Sequence, residues 1–174
     1  MPKIKNHLFG KNKSLILNDA FTLVELLIVM GIMAVMATFF ISGYTGVQKK
    51  ARDATRKSDL NQLAKAMELY FNDYRRYPPE SSGQIAGCPS TSSTACVWGT
   101  GQFTDTRTIY YKSVPADPVP AQTYIFRTDA NGTYYKFYAE LENPDDPDII
   151  SVAENGCSAI PACNFAITSG NTTP

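Results

Sequence analysis

The sequence predicts an α+β chain: one long N-terminal helix, half of it fit for a membrane and half amphipathic, packed on a small antiparallel β-sheet. Three observations predict it. Residues 21–41 form an apolar run broken by a single charge. Residues 44–76 follow helical spacing. Strand-like runs with a tight-turn signal fill residues 108–141. A length of 174 residues suits one domain with an anchor.

Charge divides the chain in the same places. Residues 1–20 carry Lys3, Lys5, Lys11 and Lys13 against Asp19 alone. Residues 44–76 hold eight basic and four acidic residues, and from Tyr77 onward four basic residues face ten acidic ones. The formal net charge is zero. That balance gives no case for coating nucleic acid, and no nucleic-acid partner is expected. His7 is the one histidine, and it lies in the basic leader. No Gly-rich phosphate loop, metal-spaced ligand set or nucleophile elbow occurs, and a Cys nucleophile would lack its usual base. The sequence therefore predicts no enzyme.

The run Phe21 to Ile41 would span roughly 31 Å as a helix, about the hydrocarbon thickness of a bilayer. It continues into Ser42-Gly43-Tyr44 without the small-x-small site of a secretory signal. Basic residues flank it on both sides, so loop charge does not orient it. Glu25 is the informative residue. A lone carboxylate costs about 2.5–3.5 kcal/mol at the centre of a membrane helix and less near its end. It stands either at headgroup level or beside a cation in an assembled state; a cut before Phe21 would supply that cation as a new α-amino group.

Beyond Tyr44 the chain turns amphipathic. Val47, Ala51, Ala54 and Ser58 follow helical steps, and so do Leu60, Leu63, Met67, Tyr70 and Tyr74, which predicts one buried stripe. Asp53 and Lys57 are expected as an exposed i, i+4 pair. Pro78-Pro79 are expected to stop the helix. Gly31, Gly43 and Gly46 mark places for close packing or for bending. The helix reads as a shaft whose first half projects and whose second half lies on a head.

In the head, residues 80–106 read as an irregular surface loop. Strands are expected at 108–111, 123–127 and 133–141. In the last, Tyr135, Phe137, Ala139 and Leu141 face the core, and Asn131-Gly132 signals a tight hairpin. Four cysteines allow three connectivities. The neighbour pairs Cys88–Cys96 and Cys157–Cys163 are preferred, as disulfides in an oxidising compartment. No metal ligand is assigned. The acidic run Glu142-Asn143-Pro144-Asp145-Asp146-Pro147-Asp148 nonetheless has oxygens suited to Ca²⁺, against a plain reading as a solvated turn.

Ala20-Phe21-Thr22-Leu23-Val24-Glu25-Leu26-Leu27-Ile28-Val29 resembles the processing motif of type IV prepilins and type II secretion pseudopilins. Val114-Pro115-Ala116-Asp117-Pro118, Tyr124-Ile125-Phe126 and Tyr135-Lys136-Phe137-Tyr138 are similar to the head of the major pseudopilins. The resemblance implies a pilin-like fold with a leader, residues 1–20, removed by a prepilin peptidase between Ala20 and Phe21. Phe21 would then be N-methylated, and Glu25 would meet a neighbouring subunit's N-terminus. The family usually places Gly before the cut, where this chain has Ala20. The implied divisions are a membrane or filament-core helix at 21–43, an amphipathic helix at 44–76 and a β head at 77–174. Calcium in the loop after the last strand is common in major pseudopilins, though this loop does not match that pattern residue by residue.

The implied function is a structural subunit polymerised through its helix, in a type IV pilus-like filament or a type II secretion pseudopilus. Implied partners are copies of itself in a helical filament, the peptidase, an assembly platform, minor pilins and the inner membrane. The prepilin would sit in the cytoplasmic membrane with its head outside the cytoplasm, and the filament in the periplasm or at the cell surface. The alternative is an anchored extracytoplasmic binding module that never polymerises.

Overall fold

A capping box starts the helix. Thr22 stands at the N-cap and Glu25 three residues on, the spacing that satisfies the first free N–H groups. Helix α1 then runs Leu23–Tyr74. The computed structural model describes residues 21–88, 94–152, 157 and 163–173, and within α1 the side chains of 39–43 are not described. Ala20 and the rest of the leader lie outside the described residues. The backbone of α1 passes through Gly31, Gly43 and Gly46 without interruption.

Two units divide at Ser42 and Gly43. In the first, every large apolar side chain from Leu23 to Met36 is at least 50% exposed, and Phe21 is 87% exposed. Among the described residues no helix is long and apolar enough to cross a membrane. The expected span also includes residues 39–43, whose side chains lie outside the description.

The second unit holds the head. Its strands are β1 (Glu80–Ser81), β2 (Gln84–Ile85), β3 (Phe103–Thr104), β4 (Ile109–Tyr111), β5 (Ile125–Thr128), β6 (Tyr135–Ala139) and β7 (Phe165–Thr168). They pair antiparallel as β1–β2, β3–β4 and β5–β6–β7. Period-2 alternation puts Tyr135, Phe137 and Ala139 of β6 on one face, in the core with Leu60, Leu63, Met67 and Phe126. Phe126 and Phe137 pair across the strands with ring centroids 5.0 Å apart. The opposite face is covered too: Tyr138 and Ile125 bury against Cys157 and Cys163. Leu141 is buried as expected.

Several expectations need correction. The buried stripe of α1 does not include Val47, which is 65% exposed, nor Ala51, Ala54 or Ser58, and Tyr74, 37% exposed and stacked on Tyr70, lies at its margin. It runs Asp53, Arg56, Leu60, Leu63, Met67, Tyr70, in steps of 3 and 4. Asp53 is therefore buried and not an exposed partner of Lys57. The helix ends at Tyr74, before Pro78-Pro79 can act, because Arg75 turns left-handed at φ 56°. Residues 80–106 are not simply a surface loop, since Ile85, Ala86, Cys96 and Phe103 are core residues. Strand β7 was not expected. The Asn131-Gly132 turn belongs to a longer connection, because β5 ends at Thr128 and β6 starts at Tyr135. Gly132 is required there: φ is +67°, and a Cβ would lie 2.6 Å from the Tyr77 carbonyl oxygen. Its own carbonyl accepts the Tyr77 N–H at 2.8 Å, fastening the chain just past the helix.

Candidate functional site

Two constellations stand out, one at the start of α1 and one where α1 meets the head loops. At the start, Glu25 Oε2 accepts the Thr22 N–H at 2.9 Å and the Thr22 hydroxyl at 2.8 Å. The Glu25 N–H returns a bond to Thr22 Oγ1 at 3.2 Å. The carboxylate is thus turned back toward the N-terminus of its own helix, where the helix dipole favours a negative charge. Phe21 is one residue further on and exposed. Thr22 was missed in the sequence, although Thr-x-x-Glu before an apolar run is the signature of this cap.

The second constellation centres on Arg56, which has no exposed surface. Its guanidinium grips Asp117 with two bonds, from Nε at 2.8 Å and from Nη2 at 2.9 Å. Nη1 donates to Asp53 Oδ1 and to Glu142 Oε1, both at 2.8 Å, and Nη2 also reaches Gln122 Oε1. Burial works against the Arg56 charge, but the bonds to Asp117 and Glu142 outweigh it and raise its pKa. Arg52 adds a two-point bond to Glu142, at 2.7 and 2.5 Å. That bond, with Arg56 behind it, holds the Glu142 carboxyl down at about 2 against the opposing effect of burial. Asp53 accepts the backbone N–H groups of Glu142 and Asn143, at 2.9 and 2.8 Å. Lys57 Nζ donates to Asp146 and to Asp148, at 2.6 Å each. A turn and a half of helix therefore holds two loops, 117–122 and 142–148, by charge.

Arg52, Arg56 and Lys57 meet the acidic head within one chain. Lys49 and Lys50 are exposed and enter none of the ion pairs among the described residues. Both expected disulfides are formed, Cys88–Cys96 and Cys157–Cys163. The second is buried, and the Cys157 carbonyl accepts the Thr123 N–H at 2.7 Å just before β5.

A helix start that caps itself with the one carboxylate of an apolar run, followed by a disulfide-bonded antiparallel head, defines the class of pilin-like proteins. The family model of the prokaryotic N-terminal methylation motif matches residues 18–41. The type II secretion system core protein G of Escherichia coli is 26% identical over 116 residues, covering 66% of this chain and 75% of that protein. The type IV wide pilus major component PilA4 of Thermus thermophilus is 36% identical over 72 residues, covering 41% and 55%. The type II secretion system core protein G of Klebsiella pneumoniae is 30% identical over 100 residues, covering 56% and 66%. The chain thus carries the N-terminal methylation motif and is similar to pilin and pseudopilin subunits. No solved structure matches.

Proposed function

We propose that this chain is a structural filament subunit, cut between Ala20 and Phe21 by a prepilin peptidase, N-methylated at Phe21 and polymerised through α1. One observation carries the reading: from Leu23 to Met36 Glu25 is the one charged residue, and every large apolar side chain there is exposed. Such a surface is stable only when lipid or other helices cover it. The methylation motif lies on the same residues, and relatives named as pilus and secretion-system components support covering by copies of the chain.

The mechanism follows from the cap. Before processing, Glu25 is satisfied by Thr22 of its own chain. The cut places a free α-amino group on Phe21, beside a carboxylate already turned toward the N-terminus. In a filament, a neighbour's amine offsets the cost of carrying Glu25 among apolar helices. The two disulfides support a head outside the cytoplasm. The membrane is the store for the prepilin, and the filament lies in the periplasm or at the surface.

The mature N-terminus tests this reading. Intact mass of the protein from cells with the peptidase is expected to show loss of residues 1–20 and one added methyl group. Uncut, dispersed chains in those cells would favour the anchored binding module. Glu25→Gln keeps acceptors for the cap but removes the charge. It is expected, like Glu25→Ala, to insert in the membrane normally and to cut filament yield sharply. Normal yield from Glu25→Gln would remove the amine–carboxylate pair from the mechanism.

A further inference from the structure

The loop from Glu142 to Asp148 has the composition of a divalent-cation site, and calcium is what the family resemblance implies for it. Its donor set does not fit an ion. Calcium takes about six to eight oxygens at roughly 2.3–2.6 Å. Here Lys57 Nζ already lies between Asp146 Oδ1 and Asp148 Oδ2, 2.6 Å from each. An ammonium in hydrogen-bond contact with both carboxylates stands where an ion would have to stand, and repels a second cation. Glu142 is engaged elsewhere, and Asp145 is exposed. Both Glu142 oxygens face Arg52, and Oε1 is shared with Arg56. Asp146 Oδ1 also accepts the Asp148 N–H at 3.0 Å, which closes the turn around the ammonium. Pro144 and Pro147 limit how the backbone could wrap an ion. Among the described residues, no three His, Cys, Asp or Glu side chains form a group that could hold a metal.

We propose that Lys57 is a tethered counter-cation that orders the 142–148 loop in place of a divalent ion. The loop is then independent of calcium, and its folding is linked to α1. A free ion binds in proportion to its concentration. A side chain of the same fold is always present, so loop order follows the helix and not the medium. The inference stands whether or not the chain polymerises.

Thermal unfolding of the full-length chain in detergent micelles tests it, in millimolar CaCl₂ and in EDTA. The wild type is expected to melt within ~1 °C in the two media, and calorimetric titration with CaCl₂ is expected to show no binding. Lys57→Met leaves Asp146 and Asp148 facing each other and is expected to lower the melting temperature in EDTA by about 3 °C or more. Lys57→Arg keeps the charge and is expected to stay calcium-independent, which decides the matter if Lys57→Met fails to fold. Wild-type protein that binds CaCl₂ at submillimolar concentration, or is stabilised by it, overturns the proposal. So does a Lys57→Met variant as stable as the wild type.

Discussion

Two adjacent stretches of one helix hold the same head by different means. Residues 60–70 hold by apolar packing of Leu60, Leu63, Ala66, Met67 and Tyr70. Residues 52–57 hold by charge, with Arg56 buried among Asp53, Asp117 and Glu142 and no large apolar side chain buried. Burying one large aliphatic side chain contributes about 1.5–3 kcal/mol. An assembled buried ion cluster contributes little net, because desolvation offsets its attraction, yet removing one member is costly. Apolar packing therefore supplies stability, and the ionic stretch decides which loops may lie against the helix.

The largest expected effect is at Arg56. Arg56→Met strands two nearly inaccessible carboxylates, Asp53 and Asp117, and should cost ~3–5 kcal/mol by chemical denaturation of the full chain in micelles. Pairing it with Asp117→Leu should regain part of that loss. A cost under about 1 kcal/mol for Arg56→Met would mean that the ionic stretch holds nothing and would dissolve the contrast. Leu63→Ala, in the apolar stretch, should cost about 3 kcal/mol by cavity formation, whatever the pH.

Acid separates the two stretches further. Glu142 has its folded-state pKa depressed to about 2 from 4.5. Its contribution is fully present above the unfolded value and is lost as pH falls through about 4.5 toward about 2. The loss attached to Glu142 should be on the order of 1–3 kcal/mol. Glu142→Gln should flatten that part of the stability profile, while Leu63→Ala should shift the whole profile down without changing its shape. An unchanged acid limb in Glu142→Gln would assign the acid sensitivity to other carboxylates.

The apolar half of this contrast was legible in the sequence and the ionic half was not. Leu60, Leu63, Met67 and Tyr70 announce themselves by hydrophobic period, as do Tyr135, Phe137 and Ala139 on β6. Hydropathy treats Asp53 and Arg56 as surface residues, so apolar spacing points instead to Val47, Ala51, Ala54 and Ser58. The corrective signal was present: stepping back from Leu60 by four and then three residues reaches Arg56 and Asp53. Their partners, Asp117 and Glu142, lie 61 and 86 residues from Arg56 along the chain, and no local pattern reports such a pairing. Strand β7 has only four residues, and β1 and β2 two each, too short for alternation to show. The helix end at Arg75 carries no glycine to mark its left-handed turn. The neighbour disulfides were legible because loop length favours them.

The smallest effect concerns the face of α1 that apolar spacing predicts to be buried. Val47, Ala51, Ala54 and Ser58 are exposed, so Ala54→Gln adds a good helix former at an open position. Stability of the isolated chain should change by less than ~0.5 kcal/mol. A stripe buried at Val47, Ala51, Ala54 and Ser58 requires the opposite, since an amide forced into a packed face should cost more than about 1 kcal/mol. The same variant also examines assembly. If this face of α1 is reserved for other copies of the chain, filament yield should fall with head stability intact. If yield and stability both stay at wild-type levels, the periodic small residues of 47–58 serve neither the head nor the filament, and their spacing is a coincidence of helix-forming composition.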